Sequence, residues 1–586
     1  MSWKTQVIYV LLVKVMVFGA IAQSTFLPAG HSWHAFAERL EIKSGGNSPQ
    51  LHSMLKPFER KALVDFLMFA DSTVGRLSAT DRLIIQNIIA GNAEWAPSAP
   101  QPSQRPFMGR FYKTPENFYQ VNQDELFLVI NPVLNLQMGN ESSRDVWLYQ
   151  NTRGVELRGS INQKVGFYSY LADNQARFPL YVDQKIASQE GAIPGEGWNI
   201  PFGDQGWDFF TARGYIAFQA TPNIGLQFGQ DRNFTGHGMR SLLLSDYSNN
   251  YLFLKVNTRV GRFHYQNLFA RLVDFPLRTF GGRLFDAKYM AAHTLSVNLG
   301  NRFQLGLFEN VVFGRANTHT PRQFDPHYLN PIIFYRAVEH HTGDADKVAI
   351  GMNWRWITSL RTALYGQAYF DDFHMGDMRN DLDSMWVYLG LRSQRKYQDF
   401  ASFRNKLGLQ LGLQWVDVLG ISNLDLKMEG NWVRPFTYSH YATDGTGLRP
   451  ASSYSHYSQA LAHPMGANFR EWIAQLQYQP HARWVLQAHS FWIKQGLDPQ
   501  GMNVGANIMN DYTTRQGDYG HLFLQGDLHQ LWLLQTSVSF EWKPQLWIDL
   551  SYLNRSFTGE SMEAPQKTSV VSIGLRLNAI TRNHWF

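Results

Sequence analysis

The 586 residues include no cysteine and 14% aromatics, among them 18 Trp, 26 Tyr and 40 Phe. A disulfide framework, an iron–sulfur or cysteine–zinc centre and an acylated lipoprotein cysteine are therefore excluded. A formal charge of +6, from 53 basic and 47 acidic residues, is too small and too mixed an excess to argue for nucleic acid. The many rings suit a β-barrel, which places them on a lipid-facing belt and at both membrane interfaces, and a barrel of several hundred residues can be a single domain, so length alone does not demand several.

The first 22 residues carry Lys4, then VIYVLLVKVMVFGAIA, then Ala20-Ile21-Ala22, the basic, apolar and small-residue order of a secretory signal. Cleavage is expected after Ala22, and loss of Lys4 and Lys14 leaves 6 − 2 = +4 on the mature chain. As an anchor helix the apolar span is too short: Lys14 interrupts it, and about 20 residues are needed. Nothing later approaches a transmembrane helix, so membrane insertion has to be by strands.

Residues 49–91 are the one convincingly helical stretch and read as a hairpin. Pro57 serves as a first-turn residue, with Leu63, Val64, Phe66, Leu67 and Ala70 at helical spacing. Ser78 with Asp81 three residues on forms a capping box, ahead of Leu83, Ile84, Ile88 and Ile89 and a stop at Gly91. Ala96–Pro106 is proline-rich and reads as a linker. The domains expected are a signal peptide at 1–22, a periplasmic helical domain at 23–95, the linker at 96–106 and an outer-membrane barrel at 107–586.

From about residue 120 the pattern has period two. Leu407, Leu409, Leu411 and Leu413 alternate with Gly408, Gln410, Gly412 and Gln414, while Leu424, Leu426, Met428 and Trp432 alternate with Asp425, Lys427, Glu429 and Asn431. Similar runs lie at 155–161, 252–260, 348–356, 363–370, 472–478, 484–492, 546–552 and 571–578. A soluble sandwich or propeller also alternates, but polar partners as large as Lys427, Glu429 and Arg355 fit a polar lumen, and the leader sends the chain out of the cytoplasm. The fold class expected is an all-β transmembrane barrel of about 18 antiparallel strands, an even number, with a small N-terminal α-helical periplasmic domain. Phe586 reads as the aromatic terminus that many outer-membrane barrels present.

The runs GHGMRSLLLSD at 236–246, LNPIIFYRAVE at 329–339, VRPFTYSH at 433–440 and AHPMGANFRE at 462–471 together resemble the capsule-assembly Wzi family, particularly its gliding-motility RemB-like branch. LHSMLKPFERK at 51–61 resembles that branch as well, so the similarity spans nearly the whole mature chain. The resemblance implies an outer-membrane barrel with a periplasmic helical bundle, and a surface role in attaching capsular polysaccharide or in gliding.

Glycan recognition needs flat apolar faces for sugar rings and planar polar groups for hydroxyls. Residues 191–208 offer Trp198, Trp207, Glu196, Asp204 and Asp208; residues 433–470 offer Arg434, Tyr438, His440, Tyr454, His456, Tyr457, His463 and Arg470. The plainer reading is that these side chains pack long loops into the lumen or sit in the interfacial girdle. Arg240 and Asp246 flank three leucines in a strand-like run, and Tyr335, Arg336 and Glu339 follow another; such charges form ladders across a barrel wall or contact ligand. Adjacent residues on a strand face opposite ways, so His340 and His341, if they lie in one, cannot readily share an ion, and no metal is expected. No GxSxG elbow or HExxH run is present, and neither an enzyme nor a cofactor is expected. The reading is a non-enzymatic surface protein that binds polysaccharide; a small-solute channel, or an accessory barrel of an export or motility machine docked through 49–91, are the alternatives.

Overall fold

The computed structural model describes residues 23–96, 103, 107–144, 146–274, 286–314, 324–332, 334–342, 346–372, 374–388, 399–442 and 450–586. The leader with its cleavage site, and nearly all of the linker, lie outside the described residues.

Eighteen antiparallel strands close into a barrel. In chain order they are β1 (Leu126–Glu141), β2 (Val146–Ile161), β3 (Val165–Arg177), β4 (Gly206–Thr221), β5 (Ile224–Asp231) and β6 (Tyr251–Val260). Next come β7 (Phe263–Asp274), β8 (Asp286–Leu299), β9 (Phe303–Phe313), β10 (Lys347–Ile357), β11 (Thr362–Asp372) and β12 (Lys406–Trp415). The last six are β13 (Leu424–Val433), β14 (Phe469–His481), β15 (Trp484–Leu497), β16 (Asp527–Lys543), β17 (Leu546–Gly559) and β18 (Gln566–Leu577). The wall closes where Val570–Leu577 of β18 pairs with Leu134–Glu141 of β1, which leaves no free sheet edge.

Alternation decides which side faces what. On β13, Glu429 and Asn431 are buried inside while Met428 stands 46% exposed outside. Near one end Trp472, Trp492 and Trp532 lie opposite each other across three strands, and near the other Phe303 faces Trp356 and Trp484 faces Phe540. Trp484 and Trp492 are separated along β15 by about 27 Å of strand, which a tilt near 40° turns into about 20 Å of height, close to the apolar band of such barrels. An outward face of this composition requires hydrocarbon around it, with its rings at the two interfaces.

Strand connections are short at one end, as at Gly261-Arg262, Ala482-Arg483 and Pro544-Gln545, and long at the other, at 178–205, 232–250, 314–346, 373–405, 434–468 and 498–526. The N-terminal helices α1 (Ser32–Ser44), α2 (Arg60–Thr73) and α3 (Ala79–Gly91) surround Leu40, Phe58, Leu63, Phe66, Leu67 and Ile85. The expected capping box is present, Ser78 accepting from the Asp81 amide and Asp81 from that of Ser78. Two expectations fail here. The second helix begins at Arg60, after Pro57, and the hairpin is preceded by α1, whose buried side carries His34, Glu38, Arg39, Glu41 and Lys43; a charged buried face gives no apolar stripe to read. Further helices lie in the long connections: α4 (Leu180–Ser188), α5 (Tyr335–Thr342) and α6 (Met375–Tyr388).

The helices close the short-turn end. Arg39 pairs with Asp81 and, at 2.5 and 2.7 Å, with Asp417 and Asp425 of the barrel; Lys43 holds Asp81 and Asp417, each at 2.8 Å. Glu41 and Arg355 of β10, both fully buried, form an ion pair, and Arg355 also donates to the Glu38 carbonyl at 2.9 Å. Burial favours protonation of Asp81, but Arg39 and Lys43 outweigh it and hold its carboxyl below the usual carboxylate value near 3.8. The stability this supplies is full above that value and is lost as pH falls through the depressed one. Replacing Asp81→Asn is expected to weaken docking of the helices by roughly 3 kcal/mol, read as faster proteolysis within 32–91 while the barrel stays intact; unchanged cleavage would refute the lock.

Candidate functional site

The connection 232–250 enters the lumen from the long-loop end and meets the N-terminal domain coming from the other. Phe234–Thr235 pairs with Leu55–Lys56 as a two-stranded ribbon, and the Gly236 amide donates to the Met54 carbonyl at 2.7 Å. Gly236 has φ +134°, which strains any side chain there, and a Cβ would press on the Gln367 amide. Lys56 pairs with Glu38 at 2.6 Å and His237 lies 3.4 Å from the same carboxylate; burial pulls His237 down to about 4, keeping it neutral.

Glu429 of β13 receives the turn that follows. Its carboxylate accepts from the amides of Met239 (2.7 Å) and Arg240 (3.2 Å), from Tyr365 (2.9 Å), Gln410 (3.2 Å) and Asn431 (2.9 Å). Next to it Glu471 of β14 takes Arg240 at 3.3 Å, Asn431 at 2.9 Å and His463 at 2.6 Å. The three leucines after Arg240 are buried in the largest core cluster, where Tyr438 and Tyr454 donate to the carbonyls of Leu242 and Leu243 at 2.8 and 2.7 Å. Residues 434–442 and 450–468 are thus folded into the lumen against 232–250.

Several sequence-predicted site residues are in this way used to fill the barrel. Arg240, Tyr438 and His463 come together, but as a buried network rather than a ladder on neighbouring strands, and 240–246 is a loop, not a strand. Asp246 lies apart, half-buried beside Gly30. Arg434 is held near the rim by Asp381 at 3.4 Å. Arg470 sits on β14 facing outward, so its neighbour Glu471 is the inward group. Trp207 and Asp208 belong to β4, with the Trp207 indole donating to Asp183 of α4 at 3.1 Å. Trp198 and Asp204 are exposed at the long-loop end, Asp204 3.6 Å from Arg177. Tyr335 and Arg336 lie on α5 rather than after a strand, with Tyr335 buried and Arg336 exposed; Glu339, His340 and His341 share that helix, their side chains outside the described residues.

The opposite half of the lumen retains a cavity of about 230 Å³. It runs along the inner faces of β1, β2 and β15–β18, from Ser539 and Asp549 towards Gly139 and Pro179, and residues 581–585 form its other wall. Residues 578–586 turn back into the barrel, which corrects the expectation for Phe586: it does not end a strand but packs beside Phe178, Tyr181 and Ile186, while Arg240 donates to the Trp585 carbonyl and Trp585 donates to Gln535. Amides and hydroxyls dominate the lining, among them Gln137, Gln150, Gln535, Ser537, Ser551 and Ser572. Its charged members are paired: Asp549 with Arg576 at 3.0 Å, Arg582 with Glu196 at 3.2 Å, and Arg177 with Asp204. Burial keeps His584 neutral, with its pKa down to about 4. The sequence signal for this cavity is the Ser, Gln and Gly alternation of 535–539 and 570–574, which carries less charge than that of β13 and marks a strand without marking a site.

Glu429→Leu removes the acceptor of five donors, at about 1–3 kcal/mol for each one left buried and unpaired. It is expected to loosen the inserted loop and raise ion conductance in planar bilayers above wild type; unchanged conductance and thermal stability would show that the carboxylate does not hold the loop.

No protein-family model matches the chain, and no curated protein does. Among solved structures it is similar to Wzi, an outer membrane protein involved in group 1 capsule assembly in Escherichia coli and a carbohydrate-binding β-barrel, at 11% identity and a TM-score of 0.52 over 92% of this chain and 97% of that one. OccAB2 of Acinetobacter baumannii follows at 9% identity and 0.40, over 77% and 97%, and OprD of Pseudomonas aeruginosa at 10% and 0.38, over 78% and 96%. At these identities the likeness is one of fold, and with Wzi it extends over nearly the whole chain.

Proposed function

We propose that this chain is a non-enzymatic outer-membrane surface protein that binds a neutral, polyhydroxylated stretch of surface polysaccharide, with the lumenal cavity as its sugar site. In this reading a leader cleaved after Ala22 delivers it, the helical domain and short turns face the periplasm, and the long connections face outward, as such barrels are built. Its service is attachment of capsular or other surface polysaccharide, or gliding; the RemB-like branch rests on the sequence motifs alone. Any envelope partner would dock on the far side of the hairpin, where Phe69 and Leu83 are exposed.

The observation that carries the reading is the lining: uncharged amides and hydroxyls beside the rings of Tyr181 and Trp585, with each charge already paired. Planar amides hydrogen-bond sugar hydroxyls, rings stack on sugar faces, and a ligand without charge leaves the ion pairs intact. The likeness in fold to a carbohydrate-binding barrel supports it. A second reading, passage of small polar solutes, is favoured by the length of the cavity along the barrel axis.

Binding of purified protein to a panel of surface polysaccharides tests both. Gln137→Ala combined with Ser551→Ala removes two hydrogen-bonding groups at about 1 kcal/mol each, a weakening of roughly 30-fold, while Trp198→Ala at the rim changes affinity little. Equal affinity in the double variant would move the site out of the lumen. Failure to bind any saccharide, together with steady conductance by the wild-type protein, would favour the solute pathway.

A further inference from the structure

Between β9 and β10 the described residues 324–332 and 334–342 fold against the outside of the wall. Tyr328, Tyr335 and Val338 are buried against Ala291, Val311 and Val348, three wall residues in one cross-strand row. Their strand neighbours Met290, Ala292, Val312 and Ala349 belong to the lumenal core, so the row that α5 covers points outward.

Beneath the helix lies a polar notch. Asn267, His293 and Glu309 are directly opposite one another on β7, β8 and β9, share the parity of Ala291 and Val311, and are 2%, 6% and 7% exposed. Tyr335 meets the His293 ring through its hydroxyl, the Arg336 amide donates to Glu309 at 3.4 Å, and Tyr265 donates to the Pro331 carbonyl. Glu309 is six residues above Phe303 of the lower aromatic row. At about 3.4 Å per residue and a tilt near 40° it stands about 15 Å above that row, within the apolar band of about 25 Å. A carboxylate and an imidazole bare to hydrocarbon at that height are costly, and ionisable groups at membrane depth need cover or partners.

The cover has an outer side of its own. Leu329, Ile332 and Phe334 are 45%, 83% and 76% exposed, as are the outward wall residues Leu307 at 52% and Ile350 at 42%. Three large apolar side chains within six residues stand on this outer side, with Arg336 exposed at its far end. We propose that residues 324–332 and 334–342 form a membrane-immersed flap, with one side sealing the Asn267–His293–Glu309 notch and the other in contact with lipid acyl chains. This goes beyond the saccharide reading and does not depend on it.

The absence of native cysteine makes the test direct. Ile332→Cys and Phe334→Cys, each labelled with an environment-sensitive fluorophore in phosphatidylcholine vesicles, are compared with Leu307→Cys on the wall and Tyr519→Cys in an exposed connection. Doxyl groups on the acyl chains should quench labels at 332 and 334 as strongly as at 307, with iodide quenching at least five-fold weaker than at 519. Iodide access equal to that at 519 overturns the flap. Shielding from both quenchers, with cross-linking between two copies of the Phe334→Cys variant, overturns the lipid contact and assigns a second copy instead. On the unsubstituted protein, a photoactivatable acyl-chain lipid should leave adducts on 326–334; adducts on wall strands alone would also overturn it.

Discussion

An ionised side chain pointing into a barrel and cut off from water has to meet an opposite charge or several hydrogen-bond donors. This requirement governs where the lumen is filled. The inner faces of β10 to β14 carry Arg355, Glu429 and Glu471, all buried, and each is met by a segment that is not part of the wall: Glu41 from α1, the amides of Met239 and Arg240, and His463. Chain returning from both ends converges on that side. Where β15 to β18 and β1 face the cavity, Gln137, Gln487, Gln535, Ser537, Ser539, Ser551 and Ser572 point inward, groups that water or a polar ligand satisfies.

The same rule, turned inside out, describes the outer wall. Apolar side chains face outward over most of the barrel, and where Asn267, His293 and Glu309 interrupt them the chain lays a helix over the interruption. Both devices use long connections. Residues 232–250, 434–442 and 450–468 go inward, and 324–332 with 334–342 go outward, each to the wall residues that need covering. Connection length at this end is therefore a poor guide to how much chain stands free for recognition.

The wall was legible in the sequence because alternation on a strand is a local property. Asp425, Lys427, Glu429 and Asn431 fall on the inner face as their spacing requires, and Ser78 with Asp81 caps a helix as its spacing requires. What escaped was whatever depends on burial against a distant segment. α1 buries charge against barrel charge, so it lacks the stripe that marks an amphipathic helix. GHGMRSLLLSD reads as a site with a strand beside it, yet its glycines let the backbone approach Glu429 and Gln367, and its leucines form core. Arg470 and Glu471 are adjacent, and only the register of β14 tells which one faces in. The glutamine and serine positions of the cavity carried a signal too quiet to stand out beside charged loops.

The proposed saccharide role therefore rests on the half of the lumen that the inserted segments leave open, and it stands only if those segments are part of the folded barrel. Amide hydrogen exchange on the full chain in lipid bilayers tests this most directly. Residues 234–245 and 454–463 should exchange as slowly as β13, against rapid exchange at 198–205 and 515–523. Inserted segments exchanging as fast as the exposed connections would mean that the lumen is not filled by its own chain.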